Sequence, residues 1–122
     1  MKIKTQDLTG PALDWAVAKC EGVEIDKFFD AWVKDPDEPH FNKQFKPSTD
    51  WAQGGPIIER ERIQTTPRGK TTDLWEAIMF DNIFMDDGSD CFQTGPTPLV
   101  AAMRCFVASK LGDTIDIPEE LL

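Results

Sequence analysis

Histidine is nearly absent from the 122-residue chain, with His40 the single one. No pair of imidazoles can hold a metal, and any Ser-His-Asp or Cys-His relay would depend on one residue in a Pro-rich stretch with no evident nucleophile beside it. Cysteine is sparse and odd in number. Cys20, Cys91 and Cys105 show no Cys-x-x-Cys spacing, which fits reduced thiols better than a secreted disulfide framework. Positive charge is short as well, since 13 Lys and Arg face 22 Asp and Glu for a net charge of −9. The mean field therefore repels nucleic acid polymers and anionic membranes, and neither is an expected partner. No apolar run reaches membrane-spanning length. The start, MKIKTQDLTG, lacks the apolar centre of a signal peptide, so the expected location is the cytoplasm in which the chain is made.

What is present is enough apolar material for a core: 40% hydrophobic residues, with eight Phe and four Trp. A single α+β domain over residues 1–122 is expected, with a β-hairpin or antiparallel sheet packed by an N-terminal and a C-terminal helix. Pro11 suits a first helical position, and Leu13, Ala16, Val17 and Cys20 recur at helical spacing until Gly22, which predicts a helix over 11–21. Phe28, Phe29, Trp32 and Val33 suggest a second helix capped by Asp26. Residues 35–50, with Pro36, Pro39 and Pro47, read as a loop. Ile57 to Gln64 and Leu74 to Phe80 read as the arms of a hairpin turning through Thr65 to Lys70. An acidic loop over 81–93 follows, and a helix from Pro96 or Pro98 to Leu111 should bury Leu99, Met103, Phe106 and Val107 before Gly112 ends it. Residues 113–122 read as a partly free tail.

Motifs for catalysis fail on inspection. Gly69-Lys70-Thr71 resembles the end of a phosphate-binding loop, but the required first glycine would stand at Gln64. Asp86-Asp87-Gly88-Ser89-Asp90 resembles a calcium loop, yet Ile83 and Met85 occupy carboxylate positions. No catalytic residue, metal or cofactor is expected, and the chain does not read as an enzyme. Two segments stand out instead. Trp51, Gln53, Gly54 and Gly55 combine a stacking surface, an amide and glycine N–H groups that could approach an anion. Thr94, Gly95 and Thr97 precede a helix whose amino terminus would offer free N–H groups, with Arg104 further along.

The blocks PSTDWAQGGPIIERERI, GPTPLVAAMRCFVASKLGD and LTGPALDWAVAKCEG resemble the small NinX-like proteins of lambdoid and related bacteriophages, while residues 24–46 and 65–93 depart from that pattern. The resemblance implies a phage accessory protein of the infected host's cytoplasm and carries over no catalytic residue. In that context the candidate residues suggest a sponge that sequesters a nucleotide second messenger of bacterial immunity, such as a cyclic di- or trinucleotide or a cyclic ADP-ribose relative. Trp51 would stack on a base, Gln53 would read its edge, and Arg104 would face phosphate. A chain this short covers a dinucleotide poorly, so a homo-oligomer is expected. The alternative is an acidic inhibitor or adaptor that engages a basic host protein through Asp35, Asp37, Glu38, Asp81, Asp86, Asp87 and Asp90.

Overall fold

The computed structural model describes residues 1–22, 25–26, 32–34, 42–69, 74–79 and 91–121. It is an α+β fold. In chain order the elements are β1 (Lys2–Lys4), α1 (Gly10–Glu21), β2 (Ile25–Asp26), β3 (Trp32–Lys34), β4 (Asn42–Gln44), α2 (Trp51–Glu61), β5 (Gln64–Pro67), β6 (Trp75–Met79), β7 (Cys91–Gly95), α3 (Pro98–Leu111) and β8 (Thr114–Asp116). Short 3-10 turns occupy Thr5–Asp7 and Glu119–Leu121. The sheets are antiparallel, in the orders β1-β8, β2-β3-β4 and β5-β6-β7.

The helix α3 organises the core. Thr97 caps it by accepting the Val100 N–H at 3.1 Å, Pro98 supplies a preset first turn, and Gly112, at φ 90°, ends it. Every residue from Leu99 to Ser109 is buried. An apolar stripe alone was expected; the helix is instead enclosed all round, because β5, β6 and β7 pack against it together with α1 and α2. The small residues Ala101, Ala102 and Ala108 let these neighbours approach, while Phe106, Leu13, Met103, Val17 and Leu8 fill the centre. The N-terminal helix packs on α3.

Several expectations need correction. The first hairpin arm is misplaced. Ile57 to Glu61 belong to α2, and the strand is Gln64–Pro67, of which Thr65 to Pro67 read as the turn from sequence alone. Pro67 is tolerated there because it ends a strand at the sheet's edge, where its missing N–H is not needed by the ladder. Trp32 and Val33 lie in β3 rather than a helix, and the supposed 35–50 loop contains β4. Phe28 and Phe29 lie outside the described residues. The acidic loop stops short of 91–93, since Cys91 and Gln93 turn inward as the start of β7. The tail is not free. Ile3 pairs with Ile115 across β1 and β8, Ile117 is buried, and the Ile117 N–H donates to the Met1 carbonyl at 2.8 Å. Alternating isoleucines, Ile115 and Ile117, give the chain end one buried face.

Candidate functional site

The first candidate segment lies on α2 rather than on a loop. Asp50 caps this helix. Its carboxylate accepts the Ala52 N–H at 2.9 Å, and its carbonyl accepts the N–H groups of Gln53 at 3.0 Å and Gly54 at 2.8 Å. The Gly54 N–H is thereby occupied within the helix. The need for glycine here is steric: a Cβ on Gly54 would lie 2.4 Å from the Pro47 carbonyl oxygen and 2.6 Å from Leu99 Cδ2. Gly55 has open space around it. It precedes Pro56, and a residue without Cβ relieves the clash that proline imposes on a helical predecessor.

Gln53 is engaged too. Its Oε1 accepts the Lys46 N–H at 2.9 Å and its Nε2 donates to Asp50 Oδ2 at 3.3 Å, which fastens the 46–50 turn to the helix. Trp51 stands outward, 56% exposed, in the first turn of α2. Gly55 follows one turn later on the same face, so the ring borders a stretch of helix without a side chain. Lys46 is exposed, and its backbone is tied to this end of α2 through Gln53.

The second candidate segment straddles the end of β7 and the cap of α3. Thr94 and Gly95 lie in the strand, and the helix begins at Pro98, the later of the two starts expected. A Cβ on Gly95 would meet the Ala101 nitrogen at 2.8 Å, which explains this glycine as a close approach of strand to helix. Thr97 spends its hydroxyl on the Val100 N–H, and its carbonyl takes the Ala101 N–H at 3.0 Å. Pro98 has none to offer.

Arg104 turns inward. Its Nε donates to the Leu8 carbonyl and its Nη1 to the Thr94 carbonyl, both at 2.7 Å, and the residue is 9% exposed. Burial lowers its pKa, opposed by the charge of Asp7. Gln6 completes this junction. Its Nε2 donates to the Thr94 carbonyl at 2.9 Å and to Oγ1 at 2.7 Å, and its Oε1 accepts the Thr94 N–H at 3.1 Å. One side-chain amide thus takes the place of a neighbouring strand at Thr94. The two segments meet where Gly54 packs on Leu99, two positions past Thr97.

Sequence reasoning did not single out Gln6 or Asp14. Asp14 lies in α1 between buried Leu13 and Ala16, and its Oδ1 accepts the Ser48 N–H at 2.9 Å. Burial pushes its carboxyl above the ordinary value, opposed by Ser48 and by the positive charge of Lys46. The available signal was a lone carboxylate inside an apolar helical run. Gln6 offered none. A further network joins the helices: Arg60 of α2 donates to Glu21 of α1 and, at 3.0 Å, to Glu61, which also pairs with Lys110 of α3 at 3.5 Å.

Among the described residues no group of His, Cys, Asp and Glu is arranged to hold a metal ion. No helix among them is long and apolar enough to cross a membrane. What the fold and this region define is a small α+β scaffold whose candidate polar groups mostly serve its own helix ends, with an aromatic ring left outside. Its family is that described as Bacteriophage P22, NinX, which matches residues 4–110, and the chain belongs to it. No curated protein matches the chain.

Proposed function

We propose that this phage accessory protein acts without catalysis by sequestering a small nucleotide-type ligand of host immunity in the infected cell's cytoplasm. One observation carries the reading: Trp51 is 56% exposed beside Gly55, so a planar ring can lie on the indole with no side chain of residue 55 in its way. Tryptophan is large and apolar, and leaving it outside a core that had room for Phe106 costs burial energy that contact with a ligand would recover. Lys46, held at the same helix end, supplies the nearest argument for a ligand carrying negative charge. Gln53, Gly54, Thr97 and Arg104 then act as scaffold, which narrows the contact set to Trp51, Gly55 and Lys46. A platform this small covers one ring of a dinucleotide, so a second copy of the chain would supply the opposite wall.

The test is calorimetric titration of the protein with cyclic oligonucleotides and ADP-ribose derivatives. Submicromolar binding of one ligand, recovered intact after heating, supports sequestration; conversion of the ligand, or no heat with any of them, overturns it.

A second reading has its own observation. Phe92 is 46% exposed on the outer face of β5-β6-β7, directly opposite Ile78, on a chain of net charge −9. An exposed aromatic anchor on a chain of net negative charge suits a basic protein partner. The acidic segments 35–38 and 81–90 that this reading uses lie outside the described residues. Capture of a basic host protein by the wild type and not by Phe92→Ser supports this reading, and equal capture by both counts against it.

A further inference from the structure

The core holds a feature that ligand binding does not use. Cys91 opens β7 and Cys105 lies in the middle of α3, and the two side chains cross reciprocally. The Cys91 thiol donates to the Cys105 carbonyl at 3.4 Å, and the Cys105 thiol approaches the Cys91 carbonyl at 3.5 Å. Each sulfur therefore lies against the other residue's backbone carbonyl. Next to one another, Cys91 is held below the ordinary thiol range by Cys105, while Cys105 is pushed up by Cys91 and by burial. The third cysteine, Cys20, has no such neighbour and its thiol is pushed up to about 12 by burial.

We propose that Cys91 and Cys105 are a redox-active dithiol that closes to an intramolecular disulfide joining β7 to α3. Access comes through Cys91. It pairs with Met79 in the last rung of the β6-β7 ladder, the place where a ladder opens locally at the smallest cost. The oxidant is a small-molecule disulfide such as oxidised glutathione. The Cys91 thiolate attacks one sulfur of the oxidant, forming a mixed disulfide, and the first glutathione leaves as a thiolate that takes up the proton Cys91 released. Cys105 then loses its proton and attacks the Cys91 sulfur, and the second glutathione leaves and is protonated. Two cysteine thiols have lost two electrons and two protons, and one disulfide has become two thiols. The bridge closes a loop spanning 14 positions and ties the strand to the central helix, so the oxidised chain resists unfolding more than the reduced one.

The experiment incubates the native full-length chain with mixtures of reduced and oxidised glutathione. Acid quenching, alkylation in denaturant and peptide mass mapping follow. The expected result is a Cys91–Cys105 linked peptide with Cys20 alkylated, and a melting temperature higher for the oxidised protein than for the reduced one. In Cys105→Ser the resolving thiol is gone, and Cys91 should accumulate as the glutathione adduct. The proposal is overturned if both thiols stay alkylatable across the whole range of mixtures, if the link forms only in denaturant, or if Cys20 is the residue joined. Should Cys105→Ser fail to fold, the linked peptide in the wild type decides the matter.

Discussion

Replacing Gly54 by alanine sets two effects of opposite sign against each other. In an exposed helix the change gains about 1 kcal/mol, because glycine surrenders more backbone freedom than alanine on folding. At this position the new Cβ would stand 2.4 Å from the Pro47 carbonyl oxygen and 2.6 Å from Leu99 Cδ2. A leucine methyl can swing aside, but the Pro47 oxygen is backbone, in a turn fastened by Gln53 and Asp14. Moving α2 off that turn is an overpacking cost of about 3 kcal/mol, at the upper end for inserted methylenes. The net expectation is a loss of about 2 kcal/mol, since the strain exceeds the propensity gain. With a urea slope of about 2 kcal/mol/M, the midpoint should fall by about 1 M at unchanged slope. Adding Leu99→Ala removes the side-chain clash and not the carbonyl clash, so stability should not return. The assay is urea unfolding followed by tryptophan fluorescence without ligand. An alanine variant as stable as the wild type would refute the steric account of Gly54 and return this glycine to a ligand-contacting role.

Arg104→Met should cost about 2–3 kcal/mol in the same unfolding assay, because the Leu8 carbonyl loses the partner seen for it and Thr94 keeps only Gln6. Unchanged stability would instead place the guanidinium outside the core. Asp14 has a folded pKa above its ordinary value of 3.8, so between those values the folded state binds more protons than the unfolded one. Its contribution is present below the ordinary value and lost as pH rises through the folded one. Wild-type stability relative to Asp14→Asn should therefore fall over that window in urea titrations at stepped pH, and a flat difference would contradict the burial of this carboxylate. Asp14→Ala, which strands the Ser48 N–H, should cost about 1–3 kcal/mol below that window and less above it.

The ends of the chain's two flanking helices were legible because proline and glycine punctuate them. Pro11 and Gly22 bound α1, and Pro98 and Gly112 bound α3. Glycine misled at α2. Gly54 and Gly55 read as glycines whose N–H groups approach an anion, yet Gly54 serves a contact with Pro47 and Leu99 from distant parts of the chain, which no local pattern can display. β5 was hidden by Pro67, acceptable only at a sheet edge, and edge position is a property of the assembled sheet. For the candidate site, exposure of Trp51 could not be read from a residue type that usually enters a core. Arg104 was legible as a functional cation and is a tether, because the carbonyls it binds, Leu8 and Thr94, lie 96 and 10 positions away. Thr9-Gly10-Pro11 and Thr94-Gly95-Pro96 share a triplet but not a structure: Gly10 starts a helix at φ 57°, and Gly95 ends a strand.

The role proposed for Trp51 is to be the contact surface for a small ligand. It is tested most directly by isolating the protein from infected cells with active immunity, denaturing it by heat and identifying any released small molecule by mass spectrometry. An intact nucleotide-type compound is expected from the wild type and none from Trp51→Ala, which should fold normally because its ring is outside the core. No compound from the wild type, or the same compound in equal amount from both, would contradict it.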